Sequence, residues 1–194
     1  MYDLPITISL DDKDYAITNK GDFRMVLDCF SALEDVELSE DYRILASLLI
    51  FYEDFNSVED IPQDEDVLEK LIKGMMNFFN CGREDENDGL NLKLIDWEQD
   101  SQIIMSAINN VAGKEIRLEN YIHWWTFVGY YMSIGESVLA TVVSIRNKIV
   151  KTEKLEKWEE KFRKENPHYF NWNHKSVEEQ ELDDLVHELW NSGR

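Results

Sequence analysis

The sequence predicts a mainly α-helical protein, a helical bundle with a small β-hairpin at its N-terminus. Near the start of the chain apolar and polar residues alternate singly, whereas from Asp22 onward apolar residues recur every three or four positions. The segments between the predicted helices are short, which favours antiparallel packing of neighbouring helices. We expect residues 1–165 to form a helical domain that includes the hairpin, and residues 166–194 to form an aromatic, acidic and amphipathic tail.

The predicted hairpin occupies residues 6–17. Apolar and polar residues alternate over 6–10, the charged segment 11–13 interrupts this pattern, and the alternation resumes over 15–17. Because an isolated hairpin is only marginally stable in water, we expect this one to lie against the helices that follow.

Six helical segments are predicted after the hairpin. Ser39 and Asp64 are placed to cap the second and third segments, and Asn80 and Gly113 are placed to end the third and fourth. The predicted segments are 22–33, 39–52, 64–80, 96–112, 116–132 and one that starts near residue 136.

The last of these segments carries two apolar stripes that do not line up. The stripe over 155–162 lies about 140° around a continuous helix from the stripe over 138–149. Either the helix breaks near Lys151–Thr152, or its distal part leaves the bundle and packs elsewhere. The spacing of Glu153–Lys157 and Glu160–Lys164 is typical of an exposed, salt-bridged helix. A docking helix for an acidic partner, or for the acidic half of this chain, is the alternative.

The charge of the chain argues against several classes of partner. Residues 1–110 hold 26 acidic and 8 basic side chains, and the 194 residues together carry a net charge of −20. Nucleic acids and anionic lipids require cationic neutralisation, so we expect neither as a partner. We find no signal peptide pattern at the N-terminus.

An aromatic run, YIHWWTFVGYYMSIG, occupies residues 121–135. It is too short and too polar for a membrane span, which needs about 20 apolar residues. A helix that is apolar on most sides is usually the buried central one, so we interpret the run chiefly as core. The alternative is that Trp124 and Tyr131 reach an exposed patch that anchors a protein partner.

No catalytic or metal site is predicted. The acidic loop 82–91 fails as an EF-hand, because position 95, where the bidentate Glu would be required, is Ile. Glu119 and His123 are four residues apart rather than three, and no second pair completes a di-iron motif. Cys29 and Cys81 stand alone and fit small buried hydrophobic residues. We therefore expect no cofactor and no enzymatic activity.

The C-terminal third supplies further candidates for a protein interface. Aromatic residues lie in a polar setting around the helix breaker Pro167, and Ser176 with Glu179 predicts a capping box that opens a last amphipathic helix. Such a helix fits a groove, either on its own domain or on another protein. The candidate partner-binding residues of the whole chain are Trp124, Tyr131, Trp158, Phe162, Tyr169, Phe170, Trp172, Leu185 and Leu189.

Four short motifs in the second half of the chain resemble a known family. They are DWEQD at 96–100, HWWTF at 123–127, MSIGES at 132–137, and the run from IRNK to LEKWE at 145–159. In combination they resemble the bacteriophage "gene product fifteen" family, tail-region proteins of long-tailed phages and prophages of Gram-positive bacteria. The resemblance covers most of residues 5–167.

The resemblance implies a role in tail assembly and no catalytic residues. Genes of this family lie typically between those of the major tail protein and the tape-measure protein, the usual place of tail-assembly chaperones. It thus implies a chaperone that binds the tape-measure protein in the host bacterial cytoplasm during phage assembly. Two further partners are left open, the tail-tube protein and a companion chaperone. Formation of a homo-oligomer is also left open. The alternatives are a structural tail component retained in the virion and an acidic decoy that binds a host protein.

Overall fold

Two short strands and seven α-helices make up the part of the chain that the structure, a computed structural model, describes: residues 3–10, 13–83 and 94–171. This confirms a mainly α protein with an N-terminal hairpin. The strands are β1 (Thr7–Leu10) and β2 (Lys13–Ala16), and the helices are α1 (Phe23–Glu34), α2 (Glu40–Phe51), α3 (Glu65–Phe79), α4 (Ser101–Ala112), α5 (Trp124–Met132), α6 (Val138–Val150) and α7 (Lys157–Glu165).

The chain divides into two compact units, Met1–Ala140 and Thr141–Arg194. The division falls inside α6, and the boundary after residue 165 stays a prediction. No helix within the described ranges is long and apolar enough to cross a membrane.

The hairpin is antiparallel, and its second strand begins earlier than the sequence predicts. Lys13, expected in the turn, pairs with Leu10. Tyr15 is buried and contacts the rings of Tyr52 and Phe55, so β2 packs against the end of α2. This contact gives the hairpin the support that two strands alone lack.

Capping residues mark the start of α1 and both ends of α3, and those of α3 are the ones that the sequence predicts. The Asp22 carboxylate accepts the N–H of Arg24, and the Asp64 carboxylate accepts the N–H groups of Asp66 and Val67. The C-cap of α3 is Asn80. The two helices contribute much of the first unit's core: Phe23, Met25, Val26, Cys29, Phe30, Leu71, Met75, Phe78 and Phe79.

Helix α4 ends as predicted but starts five residues later than expected. The Asp96 carboxylate accepts the N–H groups of Glu98 and Gln99, so residues 96–100 form a turn before the helix begins at Ser101. At the other end Gly113 adopts a left-handed conformation with φ of 68° and terminates the helix.

Helix α5 is much shorter than the predicted segment 116–132. Residues 116–118 form a single 3₁₀ turn, and the helix begins only at Trp124. The reason is a long-range contact: the carbonyl of Ile122 accepts the N–H of Phe23, and its N–H donates to the Asp22 carboxylate. Because these backbone groups are engaged elsewhere, the chain cannot be helical through residue 122.

In the second unit the helix breaks where the two stripes predicted a break. Helix α6 ends at Val150, Thr152 adopts a positive φ of 55°, and α7 begins at Lys157 behind a capping box between Glu156 and Glu159. Glu153 thus lies before α7, so the helical pairing predicted between it and Lys157 is wrong.

Candidate partner-binding surface

The HWWTF motif at 123–127 lies in the core of the first unit, as its main interpretation predicted. Trp124 is fully buried, and its indole contacts the rings of Phe30, Trp97 and Phe127. The alternative placement of Trp124 in an exposed patch therefore does not hold, and we remove this residue from the candidate surface.

The two adjacent tryptophans hold α5 against the end of α3. The Nε1–H of Trp124 donates to the carbonyl of Phe79, and the Nε1–H of Trp125 donates to the carbonyl of Phe78, each at 2.9 Å. These carbonyls belong to the last turn of α3, where intrahelical donors run out. The carbonyl of Phe78 also accepts the N–H of Cys81 at 3.0 Å. The pair of tryptophans thus has a structural role as a side-chain cap.

His123 fixes the start of α5. Its Nδ1 accepts the N–H of Trp125 at 3.1 Å, so the ring proton resides on Nε2, which donates to the carbonyl of Pro5 at 2.9 Å. Burial lowers the pKa of His123, and the contact with Pro5 opposes this effect only in part. His123 is therefore a cap and a tie to the N-terminus rather than a metal ligand or catalytic base.

The buried carboxylate of Asp22 completes this junction. It accepts the N–H of Ile122 at 2.9 Å and pairs with the Arg24 guanidinium at 3.0 Å. Arg24 in turn donates to the carbonyl of Glu119 at 2.7 Å. These contacts join segments about one hundred residues apart, and sequence reasoning missed them because neither residue belongs to a motif.

Tyr131 lies at the edge of the same core. Its side chain is half-buried, and its ring centroid is 5.8 Å from that of Trp97. Burial raises the pKa of its hydroxyl, with a smaller contribution from Asp100. Tyr131 keeps some exposed surface, unlike Trp124, but most of its ring supports the core.

The second unit presents exposed aromatic surface. Trp158 is 58% exposed and lies one turn before Phe162 on α7. Phe162 is half-buried and makes an edge-on contact with Phe170, with ring centroids 6.3 Å apart. We call these three residues the aromatic strip; large apolar side chains bordered by charged residues are typical of protein interfaces.

Buried polar contacts hold the elements on either side of the strip together. The Arg146 Nε donates to the carbonyl of Tyr169 at 2.8 Å, which fixes the turn before Phe170. Lys148 donates to the Glu159 carboxylate at 2.7 Å, and this hydrogen bond, with one from the N–H of Glu156, lowers the pKa of Glu159. Sequence reasoning missed these residues, although Glu156 and Glu159 carried the spacing of a capping box.

Of the other candidates, Tyr169 acts through its backbone carbonyl and its side chain is half-buried. Trp172, Leu185 and Leu189 lie outside the described residues.

Over 3–10, 13–83 and 94–171 no group of three His, Cys, Asp or Glu side chains could hold a metal ion. Burial raises the pKa of Cys29 strongly and that of Cys81 to about 11, so neither thiol is activated.

Comparison with known proteins identifies the family. A family profile described as "Bacteriophage Gp15 protein" matches residues 1–170. Because the match spans most of the chain, the protein belongs to this bacteriophage family, as its motifs at 96–100 and 123–127 indicated. A search of curated proteins and a search of solved structures each found no match.

Proposed function

We propose that this phage protein is a non-enzymatic tail-assembly chaperone that binds the tape-measure protein during tail morphogenesis in the host bacterial cytoplasm. It would act without a cofactor, by covering apolar stripes on the helical tape measure before the tail tube closes around it. The acidic N-terminal part, with 26 acidic against 8 basic side chains over residues 1–110, would keep the complex soluble.

The aromatic strip is the observation that carries this proposal. Trp158 and Phe162 are four residues apart on α7, a spacing that suits contact with an amphipathic helix. Around them α7 carries acidic residues in its first turn and basic residues in its last, so the rim is polar at both ends. A surface of this kind binds an apolar helix without a chemical site.

The experiment is co-expression of the full chain with the tape-measure protein of the same phage, followed by size-exclusion chromatography with light scattering. We expect a soluble complex with several copies of this protein per tape measure, whereas the tape measure alone is insoluble. Separate elution, with a tape measure no more soluble than before, would contradict the proposal.

Two matched variants locate the contact. Trp158→Ala should weaken binding at least tenfold, while Tyr42→Ala, which removes an aromatic side chain that is 64% exposed outside the strip, should leave it unchanged. Equal effects of both variants would exclude the strip as the binding surface. Deleting residues 166–194 removes Phe170 and the tail together, and unchanged affinity would remove that segment from the mechanism.

Mass spectrometry of purified particles separates a chaperone from a structural tail component. A chaperone should be absent or scarce in the virion. A fixed copy number in every particle would favour the structural role.

A further inference from the structure

The register of the hairpin decides which backbone groups of β1 face away from β2. The strands pair from Leu10 and Lys13 to Thr7 and Ala16, and beyond this last pair the N–H of Ile17 donates to the carbonyl of Ile6 at 2.9 Å. Residues of an antiparallel pair exchange hydrogen bonds at alternate positions, so the N–H and C=O groups of Thr7 and Ser9 point outward. None of these four groups has a hydrogen-bond partner among the described residues.

The opposite edge of the hairpin is already occupied. The N–H of Ala16 donates to the Asp54 carboxylate at 2.7 Å, and the carbonyl of Ala16 accepts the N–H of Glu53 at 3.0 Å. Strand β2 also carries Lys13 and Asp14, whereas β1, with the sequence TISL, has no charged residue. Charged side chains and covering segments are the usual protection of an exposed strand edge, and β1 has neither in the described structure.

A groove of about 820 Å³ runs along this open edge, between β1 and α3. The strand can lie close to the helix because residue 74 is glycine. A Cβ atom there would stand 2.6 Å from the Cγ2 of Ile8, which real structures do not tolerate. Because β1 lies close to α3, a strand that pairs with the open edge of β1 would also pack its side chains on the surface of α3.

The groove is basic although the protein is strongly acidic. Lys70, Lys73 and Arg83 line it, and no carboxylate is among its described lining residues, in a chain with a net charge of −20. Lys73 pairs with Glu69 at 2.6 Å, and Lys70 also has an interaction within the chain. The side chains of Lys73 and Glu69 are largely exposed, and exposed pairs of this kind are weak and screened. The charge of the lining selects for a negatively charged occupant.

We propose that β1 is a strand-addition site that binds an extended, acidic segment of a partner protein. The segment would form hydrogen bonds to the N–H and C=O groups of Thr7 and Ser9, as in peptide recognition by sheet edges. Its carboxylates would lie against the three basic side chains. This site lies in the first unit, and the proposal does not depend on tape-measure binding by the aromatic strip.

Backbone amide exchange, measured by NMR on the full chain, tests the site directly. The probe is a synthetic ten-residue peptide that alternates valine with glutamate, and the matched control alternates valine with lysine. We expect the glutamate peptide to slow exchange at the Thr7 and Ser9 amides at least tenfold. The Asp14 amide, on the occupied edge, should not change.

A charge-reversed protein provides the second arm. Lys70→Glu with Lys73→Glu alters two exposed side chains on α3, so the fold should be kept. This variant should lose protection by the glutamate peptide and gain it from the lysine peptide. Protection that is equal with both peptides, or that does not change in the variant, would overturn the charge selectivity and with it the proposed occupant.

Two further outcomes would also overturn the proposal. If neither peptide protects Thr7 and Ser9 at millimolar concentration, the edge does not accept a strand. If protection rises with protein concentration in the absence of peptide, the edge pairs with a second copy of this chain rather than with an acidic partner.

Discussion

The side chain of His123 connects two parts of the chain that lie far apart in sequence. It accepts the N–H of Trp125 and donates to the carbonyl of Pro5, 118 residues earlier. Both contacts require the neutral ring with its proton on Nε2. Protonation of Nδ1 would place a donor against the N–H of Trp125 and remove the cap, so the residue makes this junction sensitive to pH.

Stability should therefore fall as the pH drops below about 6.5, the ordinary pKa of an unfolded histidine. The pKa of His123 is lower in the folded protein, so the unfolded chain takes up the proton first. The free energy of unfolding therefore decreases as the pH falls towards the folded-state pKa.

His123→Asn keeps an acceptor for Trp125 but cannot titrate. We expect it to be less stable by about 1 kcal/mol at pH 7.5, and this deficit should shrink at pH 5.5.

Urea unfolding of both proteins at the two pH values measures this effect. Carboxylates contribute mainly at lower pH, since they titrate near pH 4 or below. Parallel losses of stability in wild type and variant would show that His123 does not titrate in this range.

At the scale of elements, α5 is positioned by contacts at its N-terminal end as well as by the burial of Trp124, Phe127 and Val128. The indoles of Trp124 and Trp125 donate to the last carbonyls of α3, and His123 caps the first turn. A nine-residue helix is too short to be stable alone, so these contacts and its burial decide where it forms.

The two tryptophans should differ in how much they contribute to stability. Trp124→Phe leaves the carbonyl of Phe79 buried without a donor and opens a small cavity, which costs about 2–3 kcal/mol. Trp125→Phe removes one of the donors to the carbonyl of Phe78, which keeps the N–H of Cys81 at 3.0 Å, so it should cost less than about 1 kcal/mol. Urea midpoints of the two variants give the comparison, and equal midpoints would contradict the capping role.

Removing the carboxylate of Asp22 should loosen two elements at once. Asp22→Ala deletes the N-cap of α1 and leaves the N–H of Ile122 and the Arg24 guanidinium without their acceptor, with an expected cost of about 3 kcal/mol. Asp22→Asn retains an oxygen for a cap and should cost less. The check is urea unfolding of the two variants, and a smaller effect for alanine than for asparagine would contradict this account.

Elements with local signals could be predicted from the sequence, and those fixed by distant contacts could not. The bounds of α3 could be predicted because the signals are its own caps, Asp64 before its first residue and Asn80 after its last. The start of α5 depends on Asp22, a residue that no local pattern connects to Ile122.

The same distinction applies to the candidate surface. Trp158 and Phe162 could be placed together because they are one turn apart on one helix. The burial of Trp124 depends on where α3 ends, which the sequence of α5 does not contain.

The charge of the whole molecule should make its stability depend on salt. With 40 acidic and 20 basic side chains, the folded chain repels itself at neutral pH, and added ions screen this repulsion. We expect the Tm to rise by about 2–4 °C between about 20 and 300 mM NaCl at pH 7, which corresponds to about 1 kcal/mol. Near pH 4.5, the isoelectric point of the sequence, the positive and negative charges balance and the salt effect should vanish.

The junction between Asp22 and Ile122 also has a consequence for synthesis on the ribosome. The two residues are separated by 100 positions. At a synthesis rate of about 5–20 residues per second, the ribosome adds Ile122 about 5–20 s after Asp22. Until then the ring of Phe30 lacks its contact with the indole of Trp124, and the carbonyl of Phe79 lacks the indole N–H as its donor. We expect ribosome-bound chains that display only residues 1–115 to be cleaved readily by protease, and chains that display residues 1–150 to resist. Equal resistance would show that the first helices pack before this contact forms. We expect the incomplete chain to bind chaperones of the host during that interval.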